Sequence, residues 1–284
     1  MTEQKSQPSA FLIDGTNYIY RAFYAIRGLA TSRGFPTNAI YGFTTMLMKL
    51  CRDWEPDYIV VAFDAKGPTF RHEAYDQYKA NRSAMPEELR PQIDPIKDIV
   101  RGFSIRVIEE EGIEADDIIG TLARHFEKAG IRVTIASGDK DLMQLVSENI
   151  LMVDTMKDIS YDIDGVRGRF GVGPERVIDI LGLAGDTSDN VPGIPGVGEK
   201  TALKLVQQFG SLEAVLANAE KVTGKGLSEK LRTFADQARM SRDLVTIRTD
   251  APISFDLEEL RFREPDAKIL TEIFSRFEFP GLIA

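Results

Sequence analysis

Glu114, Asp116 and Asp117 place three carboxylates within four residues. Six more acids stand where the chain turns: Asp14, Asp64, Asp139, Asp141, Asp186 and Asp189. Brought together, these side chains would repel strongly, since two like charges 4 Å apart repel by ~4 kcal/mol at an effective dielectric of 20. Such a set needs cations. All-oxygen ligands suit Mg²⁺ or Mn²⁺, and nine carboxylates exceed the needs of one ion, so two or more ions are expected. Paired hard cations suit hydrolysis of phosphate esters, one ion activating water and the other holding the leaving oxygen. The barrier to be removed is ~8–23 kcal/mol, whereas a lone general base supplies only ~10²–10⁴-fold. The two histidines are not placed to be that base, and two histidines with one cysteine argue against zinc.

Each acid alone has an ordinary explanation. Asp116 and Asp117 open an amphipathic helix (Ala115, Ile118, Ile119, Leu122, Ala123, Phe126), where acids complement the macrodipole, and aspartate favours turns generally. The repetition carries the argument. Apolar, β-branched runs predict strands at residues 10–14, 57–63, 104–108, 131–136 and 150–153, alternating with helices near 18–26, 39–52, 91–101, 115–126 and 142–146. That alternation predicts an α/β fold with a mostly parallel sheet flanked by helices. The functional crevice of such a sheet lies outside the carboxyl ends of its strands. Those ends carry Asp14, Asp64, Asp139 and Asp141, with Glu114, Asp116 and Asp117 just past another strand. The nine converge if strand order permits.

Residues 66–86 differ in character, interleaving Phe70, Arg71, His72, Tyr75, Tyr78, Lys79 and Arg82. They fit either a solvated surface helix or a lid touching nucleic acid. Beyond residue 172 the strand pattern stops, and helices are expected at 174–183, to Phe209 after the hairpin, at 212–218, 227–248 and 266–277. Gly193 and Gly198 lead into Glu199, Lys200 and Thr201, nearly a Walker A loop; the extra Glu199 and the preceding polar residues exclude that motif. An aspartyl-phosphatase loop at Asp14 is excluded by Leu12, where the nucleophile belongs. What remains at 191–202 is a glycine-rich hairpin opening a helix, able to hold a phosphate through backbone amides or to serve as an ordinary turn.

The chain has 284 residues and a formal charge of −9, which taken globally argues against a polyanionic partner. Of 44 acids and 35 bases, setting the nine candidates aside leaves equal numbers of each sign, so the remainder is neutral. One cysteine, Cys51, points to a reducing cytoplasm. The polar residues 1–9 show no signal peptide, and no apolar run approaches a membrane span.

Phe11-Leu12-Ile13-Asp14-Gly15, Phe63-Asp64-Ala65-Lys66, Tyr78-Lys79-Ala80-Asn81-Arg82 and residues 112–120, 137–145 and 185–202 together resemble the 5′-nuclease family, which includes the flap endonucleases and the 5′-nuclease region of bacterial DNA polymerases I. The resemblance implies a PIN-like α/β nuclease domain over residues 10–172, with an arch at 66–86. A helical region at 173–284 follows, with a helix–three-turn–helix at 191–202. It implies a metal-dependent 5′→3′ exonuclease and structure-specific flap endonuclease of replication and repair, acting in bacterial cytoplasm at the nucleoid. One ion would lie near Asp14, Asp64, Glu114 and Asp116. The other would lie near Asp139, Asp141, Asp186 and, through water, Asp189; Asp117 matches an acidic position of the bacterial branch. Tyr78, Lys79 and Arg82 match strand contacts near the scissile phosphate, Lys79 and Arg82 in catalytic roles, and Arg21 matches a second phosphate contact. Gly196, Gly198, Lys200 and Thr201 match the duplex-holding hairpin, often with K⁺. The implied partner is DNA with a 5′ flap, nick or 5′ end, and in some relatives fused polymerase domains. Asn17 and Asn38 stand where small residues are frequent. The rival reading is a non-catalytic module that binds flaps.

Overall fold

The computed structural model describes residues 7–283, so most of the polar N-terminal stretch lies outside the described residues. The chain runs β1 (Ser9–Asp14), α1 (Gly15–Ala25), α2 (Asn38–Trp54), β2 (Tyr58–Ala62), α3 (Phe70–Ala74), α4 (Ile93–Gly102), β3 (Arg106–Ile108), α5 (Ala115–Lys128), β4 (Arg132–Ala136), β5 (Ile150–Asp154), β6 (Ile159–Tyr161) and α6 (Ile163–Phe170). There follow α7 (Val177–Ala184), α8 (Glu199–Phe209), α9 (Leu212–Ala217), α10 (Lys225–Thr233), α11 (Ala235–Val245) and α12 (Ala267–Arg276).

The six strands order as β3-β2-β1-β4-β5-β6, parallel except for β6. The continuous apolar runs have their explanation in two cores. Ala10, Leu12, Tyr58 and Val60 face one, with α5 and the helices α7 to α11. Phe11, Ile13, Ile59 and Val61 face the other, with α1, α2, α4 and α12. A strand covered on both faces needs no polar alternation.

The progression of the strand order reverses between the parallel neighbours β1 and β4, the switch point at which such sheets open a crevice. Four elements differ from the sequence reading. The short β6 and α6 were not expected. The expected helix at 227–248 is two helices, α10 and α11, broken at Phe234. The helix expected at 142–146 is a 3₁₀ turn, Lys140–Leu145, started by Asp139 accepting the Asp141 amide. In addition, α12 packs against α4 through Leu270 and Phe274 rather than among the other C-terminal helices.

Behind the crevice, Gly185 and Gly193 meet backbone to backbone. Both have positive φ (76° and 57°), and a Cβ on Gly193 would lie 2.2 Å from the Gly185 amide nitrogen. Gly193 also donates to Ser241 Oγ and accepts from Gln237. Gly193→Ala is therefore expected to destabilise the fold by about 2–4 kcal/mol, from a left-handed residue and a steric clash together. Urea unfolding at fixed pH measures it; a loss below 1 kcal/mol would mean this contact relaxes freely.

Candidate metal centre and strand-contact surface

Asp14 ends β1 and caps α1, accepting the Asn17 amide at 2.9 Å. Its other oxygen accepts from Ser137 Oγ at 2.7 Å, and Ser137 follows β4 directly. The same Oγ accepts the Asp139 amide, and Asn17 Oδ1 accepts that of Gly138. The ends of β1 and β4 are thus tied together at the switch point, with Asp14 and Asp139 on either side. Asp64, just past β2, accepts the Ala115 amide at 2.9 Å, which fixes the start of α5 and places Asp116. Asp186 accepts the Ser188 amide and pairs with Lys140 at 3.1 Å.

Electrostatics divide the acids into two overlapping groups. Burial, then the charges of Asp64 and Asp139, push Asp14 up to about 7 against its two hydrogen bonds. Burial and the charges of Asp139, Asp14 and Asp64 raise Asp116 well above the carboxylate range. Burial raises Asp139 too, helped by Asp189 and Asp186, and raises Asp141 well up, helped by Asp139, Asp186 and Asp189. Asp139 belongs to both groups. Asp141 Oδ1 is buried without a hydrogen-bond partner. An orphaned carboxylate oxygen among crowded acids fits a hard cation. Among the described residues no three acids form a ready-made cage, and nearby bases draw several aside.

These shifts fix a pH dependence for the metal-free protein. Unfolded Asp14 releases its proton near 3.8, while the folded state keeps it to about 7. The folded state binds more protons across that window, so stability is full below it and is lost as pH rises through it. Thermal melts with chelator should fall from about pH 4 to pH 7, and Asp14→Asn should flatten the fall. A melting temperature that rises over this range would show that the acids are not crowded.

The segment at 66–86 is neither a solvated helix nor a free lid. Its one helix, α3, is five residues long, and it is stitched to the turn at 186–190. Lys79 donates its amide to Asp189 O, Asn81 donates to Thr187 O, and Asn190 donates to Gln77 O. Lys79 Nζ reaches Glu114 Oε2 at 2.9 Å and Asp189 Oδ2 at 3.6 Å. Burial opposes its charged form, yet those carboxylates raise its pKa. Arg82 pairs with Asp189 at 2.5 Å. Burial would raise Asp189, but Lys79 and Arg82 hold it below the usual range.

Two of the expected site residues have protein partners. Tyr78, expected on the strand, is buried at 4% exposure and donates to Glu114 and Asp189. Its single O–H lies between those two carboxylates. Asp117, expected at a metal, is fully buried with both oxygens taken by Arg71. Arg71 had no assigned part, and one arginine in a basic segment gives no sign of burial. Lys140 was also missed, although its place between Asp139 and Asp141 was a readable sign.

Arg21 Nη2 pairs with Asp154 at 2.7 Å, while Nη1 is buried without a partner against Gly138. At the hairpin, Gly196 and Gly198 are exposed, as is Lys200, and Thr201 is half-buried. Among the described residues the amides of Gly198, Glu199 and Lys200 make no hydrogen bond, and a Cβ on Gly198 would meet open space.

Fold and crevice together define an α/β protein with its acids gathered at the switch point and a helical hairpin behind them. The family described as "5'-3' exonuclease, N-terminal resolvase-like domain" matches residues 9–171, and "5'-3' exonuclease, C-terminal SAM fold" matches residues 172–268. DNA polymerase I of Bacillus subtilis (strain 168) is 44% identical over 287 residues, covering 100% of this chain and 32% of that protein. The chain thus spans about a third of the length of the polymerases it matches. A 5′-3′ exonuclease of Aquifex aeolicus (strain VF5) is 42% identical over 273 residues, covering 96% of this chain and 93% of that one. Among solved structures, the bacteriophage T5 flap endonuclease in a pseudo-enzyme-product complex with DNA and metal ions aligns with TM-score 0.73 at 20% identity, covering 95% of this chain and 99% of that one. The catalytic core of Rad2 in complex with DNA substrate aligns with TM-score 0.65 at 17% identity, covering 95% and 88%. The chain belongs to the 5′-3′ exonuclease family. No helix among the described residues is long and apolar enough to cross a membrane.

Proposed function

We propose that this chain is a 5′→3′ exonuclease and a structure-specific 5′-flap endonuclease, acting on DNA flaps, nicks and 5′ ends with two or more Mg²⁺ or Mn²⁺ ions. The observation that carries the reading is the pair of overlapping acid groups at the β1–β4 switch point, with Asp139 shared. Asp14, Asp64, Glu114 and Asp116 would hold one ion; Asp139, Asp141, Asp186 and, through water, Asp189 would hold the other. Bound there, such ions lower the pKa of a coordinated water and stabilise the leaving oxygen.

The chain's own residues do the rest. Lys79 and Arg82 sit at the rim of the acids, paired to Glu114 and Asp189. An entering phosphate competes for these cations, which then orient it. Arg21, with one unpartnered N–H beside Gly138, supplies a second phosphate contact. Behind them the free amides of Gly198, Glu199 and Lys200, with Lys200 and Thr201, hold the duplex backbone without reading sequence. K⁺ enters at the hairpin through the family resemblance alone. The setting is the bacterial cytoplasm at the nucleoid, and relatives occur both free-standing and fused to polymerase domains.

The test is a 5′-labelled flap incubated with Mg²⁺ or with chelator. Release of the intact flap at its junction is expected only with Mg²⁺; mononucleotides alone would restrict the chain to exonuclease action.

A further inference from the structure

Arg71 carries a full positive charge into the interior, its side chain 3% exposed against 1% for Asp117. The pair is bidentate, with Nη1 to Oδ2 at 2.7 Å and Nη2 to Oδ1 at 2.8 Å. The remaining donors of Arg71 turn to the end of α11 and the residue just past it: Nε donates to Leu244 O at 2.8 Å and Nη2 to Thr246 O at 2.9 Å. Asp117 in turn accepts the Arg248 amide at 2.8 Å. That strap, residues 244–251, is fastened on both sides. Gln144 donates to Val245 O and accepts the Ile247 amide, and Thr121 accepts the Ala251 amide. The strap lies so close to α5 that a Cβ on Gly120 would come within 2.7 Å of Ile247 and 2.9 Å of Arg248 O. The Arg248 guanidinium covers the Phe70 ring at 3.3 Å from its centre.

We infer that Arg71 and Asp117 form a positioning clamp, and that Asp117 serves the reaction through Arg71 rather than as a metal ligand. The clamp joins the base of the 66–86 segment, the first turn of α5 and the strap. Its placement matters because Glu114 and Asp116 share that turn, and Arg71 Nη1 lies 3.5 Å from Glu114 Oε2. From the same base the chain runs on through Thr69, which donates to Glu114, to Lys79. Three hydrogen bonds on one buried carboxylate leave little lone-pair capacity for an ion. Removing one partner leaves the other charged, buried and unpaired, so each single substitution does more harm than the loss of both.

The inference rests on the metal-site reading above, and the experiment separates their failures. In the full chain, Asp117→Asn and Asp116→Asn are compared for Mn²⁺ binding by calorimetry without DNA, and for amide exchange. Asp117→Asn should keep the parental Mn²⁺ affinity while exchange quickens in both 69–79 and 244–251. Asp116→Asn should lose about tenfold or more in affinity without that exchange pattern. A cycle of Arg71→Met, Asp117→Leu and their double, each checked for folding by circular dichroism, reads single-turnover cleavage. The double should exceed the product of the singles by about tenfold. Mn²⁺ affinity lost in Asp117→Asn as in Asp116→Asn, with exchange unchanged, would overturn the clamp. If both variants bind Mn²⁺ like the parent, the metal-site reading fails instead. Exchange then decides the clamp: faster in both segments upholds it, faster in α5 alone overturns it.

Discussion

Asp139→Asn is expected to abolish cleavage, with a fall in single-turnover rate of at least ~10³-fold, while flap binding persists. Asp139 is the acid common to both electrostatic groups, so both should lose it together. Asparagine keeps the shape, and its amide oxygen can still accept the Asp141 N–H that starts the 3₁₀ turn. Removing negative charge cannot weaken attraction to phosphate, so affinity should hold or improve. The metal-free variant should also melt higher than its parent, because a repelling charge is gone. Rates on a saturating 5′-flap, anisotropy at fixed salt and thermal melts in chelator supply the three readings. A variant that cuts at the parental rate, or that melts lower without metal, would remove Asp139 from the centre of the site.

Lys79→Ala should show the next largest effect, a loss of ~10²–10³-fold in kcat with little change in KM. Its ammonium sits between Glu114 and Asp189, within reach of the place where charge would develop on a phosphate. Glu114 stays supported in the variant by Thr69 and Tyr78, so the acids themselves are not released. Gly198→Val should behave in the opposite way. Its contact with duplex would be equal in ground and transition states, so KM rises and kcat is spared. Steady-state and single-turnover kinetics on one flap substrate at one salt concentration separate them. A Lys79→Ala enzyme with unchanged kcat and raised KM would make this lysine a grip rather than a catalytic residue.

Asp14, Asp64, Asp116 and Asp139 follow a strand or open a helix, where sequence position translates directly into place, whereas Asp186 and Asp189 lie in a turn between α7 and α8. Asp14 and Asp139 needed only the strand order to become neighbours, and β1 beside β4 supplied it. The strands were legible for a related reason: covered on both faces, they read as unbroken apolar runs. The three-residue β6 has no room for a period, and the break at Phe234 carries neither glycine nor proline. Least legible was the 66–86 segment. Its bases and aromatics look solvated along the chain, yet Arg71 finds Asp117 and Tyr78 finds Glu114 across long separations. An ion pair made by tertiary contact leaves no periodic trace. For the same reason Asp117 looks like a third acid of a cluster when its charge is already answered.

In the proposed reaction the two acid groups act together through more than one divalent ion. Single-turnover cleavage of a 5′-flap, measured against Mg²⁺ concentration from chelated to saturating, tests it most directly. No cleavage is expected in chelator, and the parent chain should show a rise steeper than first order in Mg²⁺. Cleavage that persists in chelator would contradict it.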